Sequence, residues 1–212
     1  MKPRRVSGPA GRAPRPPSEP RPAASALDQP PRLRNHFFAF LPPPGLRTDL
    51  AELGQTLRVH TGGRLEPIHR LHLTVCFIGP LAPEHEGVLR AAGEAACAVS
   101  GPIEVSLDHF GRFARSDVVW IGPSEPPAPG LVALNAALRH GCAGLPLRRP
   151  LTGVSPHVSL LRHAEPRVEP PEERLPPRRW TADRLHLLRT DPSEGGRVYT
   201  VLATWSLRSD RA

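Results

Sequence analysis

The distribution of apolar and polar residues after residue 35 predicts an alternation of strands and helices. Segments in which apolar and polar residues alternate predict strands, and segments with apolar residues three or four positions apart predict helices. The predicted elements are, in order, strand 36–41, helix 48–59 with Thr48 as its cap, strand 71–80, helix 83–99, strands 103–107 and 118–122 around a turn or bulge at 110–115, helix 131–142, strand 156–161, and a hairpin of 182–189 and 198–207. Strands joined by hairpins and interleaved with helices predict an α+β fold.

Residues 1–34 differ in composition from the rest of the chain. They are rich in Pro, Arg, Ala and Ser and show no apolar periodicity, which predicts a disordered tail ahead of a folded domain at 35–212. Eight basic and two acidic residues lie in this tail, so it carries +6 of the net charge of +8. Two interpretations stay open: an expendable extension, or a tether whose charge raises the local concentration of RNA.

The folded part offers arginine but no lysine for contacts with anions, because Lys2 is the only lysine of the chain. Cys76, Cys97 and Cys142 are odd in number and lack a paired spacing. This disfavours a disulfide framework or a zinc site and favours a reducing compartment. No apolar run approaches the roughly 20 residues that a membrane-spanning helix needs. We therefore expect a cytoplasmic protein without membrane contact.

Candidate chemistry lies in the predicted strand 71–80. Side chains of a strand alternate between two faces, so His72, Thr74 and Cys76 are expected on one face and the apolar residue that follows each of them in the core. An imidazole beside a hydroxyl suits work on a phosphate, because the hydroxyl can donate to a phosphate oxygen and the imidazole can transfer a proton near neutral pH. Cys76 is interpreted as packing beside that site rather than as a reactive thiol.

A second segment repeats this arrangement later in the chain, where His157 and Ser159 have the spacing of His72 and Thr74. Either motif alone is weak, but the repeat of histidine, hydroxyl and flanking apolar residues favours a catalytic pair. The other histidines weighed are interpreted as structural residues: His36, His60, His85, His109, His140, His163 and His186. Two aromatic residues are interpreted as core, as aromatics in strands usually are, with base stacking as the alternative: Phe113 and Trp120.

Residues 35–207 resemble the RNA 2′,3′-cyclic phosphodiesterases, or 2′-5′ RNA ligase-like proteins, of the two-histidine (2H) phosphoesterase superfamily. The segments that carry the resemblance are Phe-Phe-Ala-Phe-Leu-Pro (37–42), Leu-His-Leu-Thr-Val-Cys-Phe-Ile-Gly (71–79), Ser-Asp-Val-Val-Trp-Ile-Gly (116–122) and Pro-His-Val-Ser-Leu-Leu-Arg (156–162). The resemblance implies a bilobal fold. Two pseudo-symmetric lobes, with mainly antiparallel sheets, would line a central cleft and carry their helices outside.

The resemblance also implies roles for the residues of the two motifs. His72 would be the proton donor and His157 the proton acceptor, while Thr74 and Ser159 would hold the phosphate. The order of acid and base stays open from the residues alone. Ser159 replaces the threonine that the family often carries, and the hydroxyl is kept.

Two arginines are implied as further contacts. Arg162 follows the second motif, where family members carry an arginine that contacts phosphate. Strict alternation puts Arg162 on the face opposite His157, so it reaches the cleft only if the strand ends or bulges near Leu161. Arg115 precedes the predicted strand 118–122 and would be an RNA contact, with a solvated surface arginine as the alternative.

The activity implied by the resemblance is hydrolysis of RNA 2′,3′-cyclic phosphate ends to 2′-phosphomonoesters, without a metal or another cofactor. The reverse direction would be 2′-5′ RNA ligation. The expected partner is an RNA end, with tRNA-derived ends as one source, and the expected state is a monomer. Two alternatives stay open: the same chemistry on a small nucleotide or a 2′-5′ oligonucleotide, and a non-catalytic module that binds RNA ends.

Overall fold

The structure, a computed structural model, describes residues 33–194 and 196–208. Nearly all of the predicted tail, up to residue 32, lies outside the described residues, so its disorder stays a prediction. The first strand begins at Arg34, one position before the predicted start of the domain. None of the helices that the structure describes is long and apolar enough to cross a membrane.

Strands and helices alternate through this part of the chain, as the sequence predicts for an α+β fold. The elements are β1 (Arg34–Phe40), α1 (Pro44–Thr61), β2 (Arg64–Leu65), β3 (Leu73–Leu81), α2 (Glu86–Ala98), β4 (Ile103–Leu107), β5 (His109–Phe113), β6 (Val118–Gly122), α3 (Pro129–Gly141), β7 (Val158–Arg162), β8 (Arg178–Ala182), β9 (Arg184–Ser193) and β10 (Gly196–Ser206). Short 3₁₀ turns at Ile68–Arg70 and Pro83–His85 precede β3 and α2.

Several predicted boundaries differ from the structure, and for two of them the physical reason is clear. Helix α1 begins at Pro44, where a proline fits the first helical turn, and Thr48 is not its cap, since its hydroxyl donates to the Pro44 carbonyl at 3.3 Å. The predicted turn at 110–115 is mostly strand β5. The pattern hid this strand because Gly111 supplies no side chain. A Cβ at Gly111 would lie 2.2 Å from the Trp120 ring, so the glycine makes room for that ring.

The main sheet is antiparallel and joins the two histidine strands at its centre. Its strand order is β10-β9-β1-β3-β7-β6-β5, and β2 pairs with the free part of β7. Strands β3 and β7 are neighbours through the pair Leu73 and Val158. Each of these residues directly follows a candidate histidine, so the topology brings His72 and His157 to the same region of one sheet. Strands β4 and β8 form a separate ribbon.

The helices cover one face of the sheet. Helix α1 packs against β7, α2 against β9 and β10, and α3 against β3. Their buried leucines, such as Leu57, Leu89 and Leu138, share one core with Phe38 and Phe40 of β1. The alternate residue Phe37 belongs to a small second cluster on the opposite face. None of the three α-helices that the structure describes covers that face, which is the one on which the histidines lie.

A β-bulge interrupts each histidine strand three residues after its histidine. In β3, Cys76 pairs with Phe38 and Thr74 with the next residue of β1, which leaves Val75 as an extra residue. In β7, Leu161 and Ser159 pair with consecutive residues of β6, which leaves Leu160 as the extra residue. A bulge turns the residues that follow it to the other face. The alternation therefore changes phase at the same point in both strands.

The change of phase corrects two of the expected orientations. Cys76, expected beside His72, is 3% exposed and packs in the helix-covered core. Phe77, expected in the core, is 57% exposed and lines the cleft on the opposite face. In β7 the bulge lies near Leu161, as access of Arg162 to the cleft requires, and Arg162 does line the cleft.

The carbonyl group inside each bulge is satisfied from outside the strand ladder. The Asn135 side-chain amide of α3 donates to the Val75 carbonyl at 2.8 Å, and the backbone N–H of Glu66 donates to the Leu160 carbonyl at 2.8 Å. Asn135 is 3% exposed and Glu66 5% exposed. A buried carbonyl without a partner is costly, so these two donors stabilise the bulges that orient the site.

Candidate active site

A single cleft of about 760 Å³ on the helix-free face collects the candidate chemistry. His72, Thr74, His157, Ser159 and Arg162 all line it. The two motifs come from neighbouring strands, so each contributes one imidazole and one hydroxyl to the same space. The cleft can therefore present two proton-transfer groups and two hydroxyl donors to one ligand.

Arg115 is the predicted site residue that does not line the cleft. It is exposed in the turn between β5 and β6, whereas Phe113 and Ser116 beside it do line the cleft. His163, interpreted as structural, also lines the cleft. Buried His36 fits its structural interpretation, since its Nε2 lies 3.2 Å from a carboxylate oxygen of Glu86.

The two imidazoles are held in the same way. Nδ1 of His72 lies 2.6 Å from the Arg70 carbonyl oxygen, and Nδ1 of His157 lies 2.7 Å from the Ser155 carbonyl oxygen. A carbonyl oxygen can only accept, so Nδ1 carries the hydrogen in both rings. In the neutral ring the lone pair then resides on Nε2. Both histidines are thus prepared to exchange a proton through Nε2.

Aromatic rings fix the position of each imidazole. The centroid of the His72 ring lies 5.0 Å from that of Phe37 and 5.2 Å from that of Tyr199. The centroid of the His157 ring lies 4.7 Å from that of Phe113, which meets it edge to face. Trp120 packs behind Phe113 at 5.5 Å. Phe113, interpreted as core, is therefore a wall of the cleft beside His157.

Burial lowers the pKa of both histidines, because it disfavours the charged imidazolium. The pKa of His72 falls to about 4, against the opposing effects of its hydrogen bond to Arg70 and of the Glu66 carboxylate. The pKa of His157 is also lowered, with the Arg162 guanidinium as a further cause. At pH 7 both rings of the protein alone are neutral, and a nearby anion would favour the protonated form of either.

The cleft is lined by cations that favour a phosphate. Arg64, Arg70, Arg162 and Arg197 line it together with the histidines. No aspartate or glutamate is among the described residues that line it. Arginine side chains thus supply the positive charge of the cleft.

Glu66 lies behind this lining and organises it. Its carboxylate accepts a hydrogen bond from Nε of Arg162 and forms an ion pair with Arg70, at 2.8 Å from Nε. Arg70 in turn lies over the Tyr199 ring, 4.9 Å from its centroid. Glu66 therefore holds two cleft arginines in place while its own charge stays out of the cleft.

A family model described as the 2′-5′ RNA ligase superfamily matches residues 42–194, a segment that includes both histidine motifs. The chain belongs to this superfamily. Similar proteins include the RNA 2′,3′-cyclic phosphodiesterase of Thermus thermophilus, 30% identical over 82% of this chain and 90% of that protein. The RNA 2′,3′-cyclic phosphodiesterase of Escherichia coli is 31% identical over 85% of this chain and 99% of that protein.

Solved structures agree with this membership. The crystal structure of E. coli LigT complexed with 3′-AMP has a TM-score of 0.72 and 27% identity, and covers 84% of this chain and 99% of that chain. A crystal structure described as a phosphoesterase has a TM-score of 0.69 at 27% identity, covering 85% of this chain. The 2H phosphoesterase fold that the resemblance implied, α+β with mainly antiparallel sheets, is therefore confirmed.

The three cysteines of this 2′-5′ RNA ligase superfamily protein are poorly suited to act as nucleophiles or metal ligands. All three cysteines are free and buried. Burial raises the pKa of Cys76 to about 12 and those of Cys97 and Cys142 to about 11, so the reactive thiolate is disfavoured. Within residues 33–194 and 196–208, no group of three or more His, Cys, Asp or Glu side chains could hold a metal ion.

Sequence reasoning missed Glu66, Arg70 and Tyr199 of this site. Glu66 and Arg70 lie between predicted elements, in a segment without periodicity, and Glu66 meets Arg162 only after the chain has folded. Tyr199 belongs to the last strand and reaches His72 across the sheet. Only the family resemblance predicted Arg162 as a site residue, and nothing in the local sequence pattern predicted Glu66 as its carboxylate partner.

The low pKa of His72 predicts a loss of stability in acid. Between pH 6.5 and about pH 4 the unfolded chain takes up a proton at this residue that the folded protein does not bind, so the free energy of unfolding falls as the pH falls. At 1.36 kcal/mol per pH unit the decrease is about 3 kcal/mol. Urea unfolding of the wild type and of His72→Gln across this range measures it, since the variant lacks the group. Parallel curves for the two proteins would contradict the prediction.

Proposed function

We propose that this superfamily member hydrolyses the 2′,3′-cyclic phosphate at the 3′ end of RNA to a 2′-phosphate, with its two histidines as acid and base and without a metal. The observation that carries the proposal is the pair of imidazoles on one cleft, each with Nδ1 bound to a carbonyl and Nε2 left for proton transfer. Cyclic phosphate opening needs a base on one side of phosphorus and an acid on the other.

The reaction proceeds by in-line attack of water. Nε2 of His157 takes a proton from the water, whose oxygen forms a bond to phosphorus. The bond between phosphorus and the 3′ oxygen breaks, and Nε2 of His72 gives that oxygen a proton. The products are a 3′ hydroxyl and a 2′-phosphomonoester, and a proton transfer between the histidines through solvent restores the starting forms.

The substrate itself supplies the charge that the acid requires. Its phosphate is an anion, and an anion between the imidazoles raises the pKa of both and offsets their burial. The Glu66 carboxylate acts on His72 in the same direction. Arg162 lowers the pKa of both histidines, so the difference between them comes from Glu66, whose carboxylate raises the pKa of His72 and is not among the causes that act on His157. This difference favours His72 as the acid and His157 as the base.

Thr74, Ser159 and Arg162 are proposed to hold the phosphate. The two hydroxyls can each donate to a non-bridging oxygen, and the guanidinium can neutralise charge that develops there as water attacks. All three line the cleft with the histidines. The bulge in β7 supports the role of Arg162, because it turns this side chain to the cleft face.

The named relatives support the substrate class. Proteins called RNA 2′,3′-cyclic phosphodiesterases are 30% and 31% identical to this chain over most of its length. LigT has been crystallised with 3′-AMP and with phosphate. Ligation follows from the same chemistry, with an RNA 5′ hydroxyl in place of water, and would yield a 2′-5′ linkage. The tRNA origin of the RNA, the contact by Arg115, the monomeric state and the cytoplasmic location stay predictions.

The test is incubation of the purified protein with an RNA oligonucleotide that ends in a 2′,3′-cyclic phosphate, in the presence of EDTA. Chromatography that separates 2′-phosphate from 3′-phosphate ends identifies the product. A 2′-phosphate product in EDTA supports the proposal. A 3′-phosphate product, activity that returns only after a divalent metal is added, or the absence of turnover would each contradict it.

A further inference from the structure

The exposed ring of Phe77 joins the cleft to a second depression. Phe77 lines the cleft, and it also lines a neighbouring depression of about 410 Å³ together with Arg148 and Arg149. The ring reaches this position because the bulge at Val75 turns it out of the core. A large apolar ring left in solvent beside a catalytic cleft, with arginines next to it, has the composition of a platform for nucleic-acid bases.

The arginines beyond Phe77 extend this surface. Arg148 and Arg149 are both exposed, and neither forms an ion pair with the carboxylates that the structure describes. They also line a third depression of about 640 Å³, which includes Arg139 and His140 at the end of α3. A path therefore leads from the catalytic cleft across an aromatic ring to a series of cationic side chains.

The other extension of the cleft is less suited to a polyanion. A depression of about 190 Å³ shares Asn35, Thr190 and Arg197 with the cleft, but Asp191 lines it as well. The same carboxylate is already paired with Arg34 at 3.4 Å. A chain of phosphates on this side would meet a negative charge and a neutralised arginine, whereas on the Phe77 side it meets arginines only.

Buried contacts hold the Phe77 side in place. The Asn135 amide donates to the Val75 carbonyl at 2.8 Å and to the Thr152 carbonyl at 3.4 Å. Thr152 lines the depression with Arg148 and Arg149. One buried side chain thus ties the strand that presents Phe77 to the loop that presents the arginines. The strand that carries the ring and the loop that carries the cations are therefore held together, which reduces the entropy cost of binding a flexible strand.

We propose that the surface formed by Phe77, Arg148 and Arg149 binds the single-stranded RNA on the 5′ side of the terminal nucleotide. The base of the preceding nucleotide stacks on Phe77, and the phosphates before it contact the two arginines. This inference rests on the proposed function, since it assigns a path to the rest of the strand whose end occupies the cleft. It makes the protein an enzyme of RNA ends rather than of mononucleotides.

The experiment compares two substrates: a six-nucleotide RNA ending in a 2′,3′-cyclic phosphate, and a nucleoside 2′,3′-cyclic monophosphate. The variant Arg148→Gln/Arg149→Gln is expected to raise KM for the hexamer about tenfold and to leave kcat/KM for the mononucleotide unchanged. The dependence of log KM on log salt concentration should become shallower by roughly 1.4, since each phosphate contact on a single strand contributes about 0.7. The matched control is Arg58→Gln/Arg90→Gln, which removes two exposed arginines of α1 and α2.

The role of the ring is tested by a pair of substitutions. Phe77→Leu keeps an apolar side chain without a π face, and is expected to lower the ratio of hexamer to mononucleotide kcat/KM about tenfold. Phe77→Tyr keeps the π face and should retain the wild-type ratio. A merely structural role of the ring would change both substrates equally and leave the ratio constant.

The outcomes distinguish a failure of the proposed RNA path from a failure of the proposed function. If the wild type turns over both substrates, and the arginine and Phe77 variants change both to the same extent or neither, the RNA path is overturned while the proposed chemistry stands. Equal effects of the test and control arginine pairs would also overturn the path. If the wild type turns over neither substrate, the proposed function fails, and this inference fails with it.

Discussion

His72→Ala and His157→Ala are each expected to lower kcat for a cyclic phosphate end by about 10²- to 10⁴-fold, the contribution typical of a positioned acid or base. Each imidazole makes one hydrogen bond, to the backbone carbonyl two residues before it, and packs against aromatic rings at the edge of the cleft. The variants should therefore remain folded. Single-turnover kinetics, together with thermal unfolding of the same samples, measures both quantities. Full activity in either variant would refute the two-histidine mechanism.

A sulfur substrate distinguishes the acid from the base. If the 3′ bridging oxygen of the cyclic phosphate is replaced by sulfur, the leaving group is a thiolate that needs little protonation. The defect of His72→Ala should then largely disappear, while that of His157→Ala persists, because the attacking water still needs a base. Rescue of His157→Ala alone would show that the roles of the two histidines are reversed.

Glu66→Gln is expected to have a large effect on stability as well as on turnover. The substitution keeps the shape of a side chain that is 5% exposed and removes the charge that Arg70 and Arg162 share. Breaking a buried ion pair typically costs about 3 kcal/mol. Arg162 would also lose the partner that orients it, and His72 the carboxylate that favours its protonation, so kcat should fall about tenfold or more.

The matched control for this prediction is Glu169→Gln. Glu169 also approaches an arginine, Arg112, at 3.8 Å, but its side chain is 72% exposed. Surface ion pairs contribute about 0–1 kcal/mol, and this one lies outside the cleft lining. Urea unfolding and steady-state kinetics of both variants provide the comparison. Equal losses of stability in the two variants would show that the buried ion pairs of Glu66 stabilise the protein no more than a surface ion pair does.

Much of the fold follows from periodicity that the sequence displays. The leucines of α3 recur at helical spacing, and Leu131, Leu134 and Leu138 all pack in the core. The antiparallel hairpin of β9 and β10 lies where alternating residues predicted it. Strand β5 did not follow the rule. The Arg112 side chain of this strand is only 4% exposed, and it donates to the carbonyls of Glu165 and Val168, partners that no local pattern specifies.

The candidate site was predictable where it depended on spacing and unpredictable where it depended on register. Both histidines and both hydroxyls precede the bulges, so simple alternation placed them on one face. Phe77, Cys76 and Arg162 follow the bulges, and alternation alone put them on the wrong faces. A bulge in a run of apolar residues leaves no mark in the sequence, since the extra residue and the residue after it are both apolar and both buried, as are Leu160 and Leu161.

The two bulges lie at the same distance from their histidines, so the two halves of the site correspond position by position. If two copies of one half-chain formed a symmetric dimer, every residue beside the axis would face an identical residue, as in any isologous interface. Here both halves belong to one chain, and the positions that correspond by their distance from the histidines are Thr74 and Ser159, and Phe77 and Arg162. One half of the site can thus offer an aromatic surface and the other a cation. A donor and an acceptor of protons need such unequal surroundings, and a single gene product can encode them.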